Sequence, residues 1–76
     1  MKVIVYGPGC ARCQQTAAQI EAVLEAAGIA FTLEKVSDFV EIAKAGVMAT
    51  PGVAIDGRLV STGKIPTASE IKSWLA

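Results

Sequence analysis

Histidine is absent from the 76-residue sequence, and cysteine occurs only twice, at Cys10 and Cys13. Structural zinc takes four nitrogen or sulfur ligands, so two thiols without an imidazole do not make such a site. An excess of charge is missing too, because seven basic residues balance seven acidic ones. Proteins that bind nucleic acid or anionic membranes carry a basic stripe or surplus, and neither partner is expected. No long hydrophobic run is present. The N-terminal run Val3-Ile4-Val5-Tyr6 stops at Gly7, too short for a signal peptide and far from the ~20 residues of a membrane helix. Repeats, low-complexity tracts and linkers are lacking as well. What remains is one domain over residues 1–76, expected in the cytoplasm, where a disulfide is transient and chemical rather than a permanent staple.

What the sequence does hold is apolar surface. Hydrophobic residues make up 53% of the chain, which suits an ordered globule rather than a disordered segment. A chain this short buries only about 60% of its unfolded surface, so its stability should be modest.

Lys2 to Tyr6 is a β-branched and aromatic run, expected as a central strand buried on both faces. Gly7-Pro8-Gly9 breaks it. From Ala11 to Ala27 the residues Ala17, Ile20, Leu24 and Ala27 recur at helical spacing, with Gly28 as the stop. Phe31 and Leu33 alternate with Thr32 and Glu34, a second strand with one face covered. Ser37-Asp38 caps a short helix carrying Phe39, Val40 and Ile42 and ended by Gly46. Gly52–Ile55 and Arg58–Ser61 are strands joined by Asp56-Gly57, a two-residue hairpin signal. Thr67-Ala68-Ser69-Glu70 is a capping box opening a last helix with Ile71, Trp74 and Leu75. The order βαβαββα predicts an α/β protein with a four-stranded mixed sheet flanked by helices. Its first two strands are parallel and its last two form an antiparallel hairpin.

Cys10-Ala11-Arg12-Cys13 stands where the first strand gives way to the first helix. Two cysteines three apart in this setting are a redox signature. Cys10 is expected at or beside the helix N-cap, where backbone N–H groups and the helix dipole favour thiolate, the reactive form. Helix-end interactions of up to ~2 kcal/mol lower a thiol pKa from ~8.5 to roughly 7. Arg12 is expected on the solvated side of the turn, adding little through screening. Cys13 shares the buried helical face of Ile20 and Leu24. Cys10 is therefore the candidate nucleophile and Cys13 the resolving thiol. A purely structural bridge is a poor use of the pair, since closing four residues contributes only about 2 kcal/mol. Three readings compete with dithiol exchange. Two unrelated buried cysteines would pack as small hydrophobes, and a redox-regulated module would dock without turnover. A Cu(I) or other soft-metal carrier needs only two thiolates. Such carriers run βαββαβ and end on a strand, whereas this chain ends on a capped helix.

With Cys10-Ala11-Arg12-Cys13 after the first strand and Ala49-Thr50-Pro51-Gly52 before the third, the chain resembles the thioredoxin superfamily along its whole length. It is most similar to the very short thioredoxin/glutaredoxin-like branch with a Gly-x-Gly-Cys-x-x-Cys start, here Gly7 to Cys13. The resemblance implies a minimal thioredoxin fold and a protein disulfide oxidoreductase. It further implies a cis Thr50-Pro51 bond beside the dithiol, with the Thr50 backbone pairing an extended substrate segment. Expected partners are disulfide-containing proteins and a thiol reductase as electron donor. The expected state is a monomer with no metal and no cofactor beyond the Cys10–Cys13 disulfide. The chain departs from ordinary thioredoxins in lacking the loop aromatic, the glycine–proline pair between the cysteines and an acidic residue in the first strand. Glu34, Lys35 and Asp38 are the nearest candidates for proton handling and are expected as solvated surface charge. Gly63-Lys64 loosely echoes the glutathione-binding segment of glutaredoxins. Tyr6 is a candidate either to line the site or to fill space beneath the first helix. Met48 is expected in packing, and Trp74 should close the core.

Overall fold

The computed structural model describes residues 1–9 and 11–75; Cys10 and Ala76 lie outside the described residues. The elements run β1 (Lys2–Tyr6), α1 (Ala11–Ala26), β2 (Thr32–Val36), α2 (Phe39–Lys44), β3 (Gly52–Ile55), β4 (Arg58–Thr62) and α3 (Ala68–Trp74). Each begins and ends for a local reason. α1 stops where Gly28 takes φ +70°, and its N–H donates to the Glu25 carbonyl while that of Ile29 donates to Leu24. This paired capping uses up two carbonyls that the helix end leaves open. Asp38 caps α2 by accepting from the Val40 N–H at 2.8 Å. Thr67 and Glu70 form the reciprocal capping box of α3. Asp56 and Gly57 both have positive φ, 49° and 85°, as a two-residue hairpin turn requires.

The sheet has the order β2-β1-β3-β4. β1 pairs with β2 in parallel, and the β1–β3 and β3–β4 pairs are antiparallel. This is the α/β architecture with a four-stranded mixed sheet that the sequence predicts. β2 differs in extent. It runs from Thr32 to Val36 rather than from Phe31 to Glu34, because its partner β1 offers ladder positions from Lys2↔Thr32 through Tyr6↔Val36.

α1 packs against β1 and α3, and one face of the sheet carries the main core. There Val3, Val5, Val53 and Ile55 meet Ala17, Ile20, Leu24 and Ile71. Each large aliphatic side chain so buried contributes about 1.5–3 kcal/mol. Trp74 and Leu75 are half-buried against this cluster. The expectation that β1 is buried on both faces is corrected. Val3 and Val5 are buried, but Ile4 and Tyr6, which alternation turns to the other side, are half-exposed. α1 and α3 serve the first face with their buried side chains, whereas the second has only the α2 region. On that second face Val47 is buried against Gly52, the residue paired with Tyr6.

Candidate dithiol site

Three segments converge at one end of the sheet. The first is the turn after β1 that runs into α1, Gly7 to Cys13. Cys10 precedes α1 in the chain and lies outside the described residues. Cys13 is in the first turn of α1 and is only 5% exposed. It shares the buried face of the helix with Thr16, Ala17 and Ile20. Gly7 explains how the sulfur sits so close to the strand end. A Cβ added to Gly7 would lie 2.2 Å from the Cys13 Sγ and 3.8 Å from the Thr50 Cβ. The resolving-thiol candidate and Thr50 therefore flank the same point.

The second segment is the loop before β3. Its Thr50–Pro51 peptide bond is cis, Pro51 is fully buried and Thr50 is half-buried. Met48 in this loop is 95% exposed, which corrects its expected packing role. Val47 takes the buried place against Gly52, so the next side chain turns outward.

The third segment is the end of β4, where the sequence offers only the loose Gly63-Lys64 echo and no signal that Gly63 braces the site. Gly63 donates its N–H to the carbonyls of Ala49 at 3.1 Å and Pro51 at 3.0 Å. Its own carbonyl accepts from the Arg12 Nη2 at 3.1 Å. Arg12 is exposed, as expected, but its guanidinium is tied to the β4 end rather than loose in solvent. Two further bonds brace the turn. The Gln14 Nε2 donates to the Gly9 carbonyl at 3.2 Å, and the buried Thr16 hydroxyl donates to the Arg12 carbonyl at 2.9 Å. The contacts of Gly7 and Gly63 could not be read from sequence, because the partners that give them a role here lie elsewhere in the chain.

Tyr6 is half-buried at the end of β1, opposite Gly52. It is on the sheet face away from Val3 and Val5, so it does not fill space beneath α1. The charged neighbours are engaged elsewhere. Glu34 lies 3.7 Å from the Lys2 Nζ at the far end of β1, and Asp38 caps α2; Lys35 is exposed. Among the described residues, no three His, Cys, Asp or Glu side chains come together in a way that could hold a metal ion. No helix among them is long and apolar enough to cross a membrane.

A parallel βαβ unit followed by an antiparallel hairpin and a closing helix, with Cys-x-x-Cys running into α1, defines a thioredoxin-fold protein. The element order is not that of the two-cysteine metal carriers, which end on a strand. Known sequences point the same way. A family model described as a thioredoxin domain matches residues 1–76. The chain is 37% identical over 76 residues to a thioredoxin from Methanothermobacter thermautotrophicus, covering all of this chain and 99% of that protein. It is 44% identical over 71 residues to a thioredoxin from Methanocaldococcus jannaschii, covering 93% of this chain and 81% of that one. The chain belongs to the thioredoxin family.

Proposed function

We propose that the protein is a thiol–disulfide oxidoreductase that exchanges disulfides with protein substrates through Cys10 and Cys13. The observation that carries this reading is the placement of Cys13, buried against Gly7 and beside Thr50. A recessed thiol next to a backbone segment suited to receive substrate is what the resolving half of an exchange reaction needs. α1 starts directly after Cys10, so that thiol has a helix N-terminus next to it in the chain, and such a position favours thiolate.

The reaction runs in two displacements. The Cys10 thiolate attacks one sulfur of the substrate disulfide, that bond breaks, and the departing thiolate takes a proton from water. The Cys13 thiol gives up its proton, and the resulting thiolate attacks the Cys10 sulfur of the mixed disulfide. The second substrate thiol leaves. Two electrons pass to the substrate and the protein is left with a Cys10–Cys13 disulfide, which a thiol reductase returns to the dithiol. The Thr50 backbone pairs with the extended substrate segment. Gly63 supports this role by engaging the carbonyls on either side, those of Ala49 and Pro51, which leaves the Thr50 carbonyl outside that contact. A reducing compartment such as the cytoplasm suits a dithiol that must be recycled.

The test separates the two thiols. Cys13→Ser should accumulate a mixed disulfide with a cystine-containing peptide, visible by mass spectrometry, and Cys10→Ser should accumulate none. Equal alkylation rates of the two thiols in the reduced wild type would sink the assignment. Failure to reduce any disulfide, together with stoichiometric copper after purification, would replace it with soft-metal transport.

A further inference from the structure

We infer that Arg12 selects the substrate, favouring peptide disulfides with an acidic side chain beside the attacked cysteine. The inference rests on the oxidoreductase reading and names the substrate class for the same site. Its starting point is that Arg12 is held at both ends. Its backbone lies between the two cysteines, and its carbonyl accepts from the Thr16 hydroxyl. Its guanidinium donates to the Gly63 carbonyl, and the Gly63 N–H spans the carbonyls flanking Thr50. The positive charge is thereby held at the end of β4, one residue removed from the carbonyls that flank Thr50.

Guanidinium carries five N–H donors in a rigid fork, and Gly63 uses one of them. The others are in place for a carboxylate, the planar acceptor that such a fork fits best. Holding the side chain beforehand removes part of the ordering cost that a mobile surface arginine meets on binding. Among the described residues no carboxylate pairs with Arg12, and Glu70, in the helix that follows Gly63, is paired with Lys64.

The experiment uses the reduced full chain, kept reduced by dithiothreitol, and two cyclic disulfide peptides that differ only by Glu or Gln beside one cysteine. Rates are normalised to those of each peptide with dithiothreitol alone, which removes intrinsic differences in reactivity. Wild type should favour the Glu peptide about fivefold in kcat/KM, the scale of one exposed ion pair. The difference should lie in KM and shrink at high salt. Arg12→Gln should bring the ratio to about one, and Arg12→Lys should keep part of it. If Arg12 were only a staple, Arg12→Gln would slow both peptides alike and preserve the ratio. That result, or a wild-type ratio of one, overturns the inference. Glutathione disulfide, which also bears carboxylates, is run alongside; selectivity confined to it overturns the peptide form. Reduction of hydroxyethyl disulfide without peptide selectivity removes this inference alone. No reduction of any disulfide removes the oxidoreductase reading as well.

Discussion

Gly7 shows how much of the site depends on a missing atom. It is not among the glycines with positive φ, so its backbone is one that alanine also adopts. The constraint is space, because an added Cβ would sit 2.2 Å from the buried Cys13 sulfur. The sulfur cannot retreat without moving the first turn of α1, which Thr16 and Arg12 tie down. Gly7→Ala should therefore cost about 1–3 kcal/mol, the usual range for overpacking a tight contact. Urea unfolding measures that cost, and a redox titration of the same variant should show a shifted midpoint. An unchanged unfolding midpoint would mean that the contact relaxes freely. Met48 is the contrasting case. It is almost fully exposed, so Met48→Ser should leave stability within about 0.5 kcal/mol.

At the scale of elements, α3 and the loop before it form one electrostatic unit. The Glu70 side chain accepts from the Thr67 N–H at 3.2 Å and pairs with the Lys64 ammonium. The Lys64 hydrogen bond, with that from Thr67, holds the Glu70 carboxyl below its ordinary value. A carboxyl lowered in the folded state stabilises the fold above its unfolded pKa, and that contribution fades as pH falls through the folded one. Glu70→Gln should thus be less stable than wild type near neutral pH. The gap should close on acidification below the ordinary glutamate range, in thermal unfolding followed by circular dichroism. A gap that stays constant down to pH ~2 would mean that Glu70 acts through packing or the neutral capping bond rather than its charge. Because the same loop carries Gly63, the variant also probes how firmly the Arg12 anchor is held.

For the whole molecule the question is how little core supports the site. A chain of this size has a stability of about 4–11 kcal/mol by the usual per-residue scale. Ile71 is the one α3 side chain fully buried in the main cluster, and it joins α3 to α1 and the sheet. Ile71→Ala should cost about 2–5 kcal/mol through lost transfer energy and an unfilled cavity. That is a large share of the total, so the variant should populate unfolded chain at moderate temperature, seen as early loss of near-ultraviolet circular dichroism. Phe39→Ala removes a side chain that is 72% exposed and should leave the unfolding midpoint nearly unchanged. Equal losses in the two variants would argue that the core is not where the structure places it.

Features that depend on neighbouring residues were legible in the sequence alone. The helix stops at Gly28 and Gly46, the Asp56-Gly57 turn, the Thr67–Glu70 capping box and the extent of β1 follow from steric and hydrogen-bonding rules acting over a few positions. The spacing of Cys10 and Cys13, and the place of Cys13 in the first turn of α1, belong to the same class. Contacts between distant segments were decided only by the tertiary structure. Sequence periodicity cannot say that α1 and α3 crowd one face of β1 and leave Ile4 and Tyr6 half-exposed, nor that β1 draws β2 out to Val36. It places Arg12 on a solvated turn, but 51 positions separate Arg12 from the Gly63 carbonyl that holds it. Gly7 looks like a breaker until the Cys13 sulfur is packed against it. Local chemistry therefore specifies the elements and the place of the cysteine pair in the chain. The surroundings of that pair come from packing, because only the folded sheet brings the ends of β1, β3 and β4 to one point.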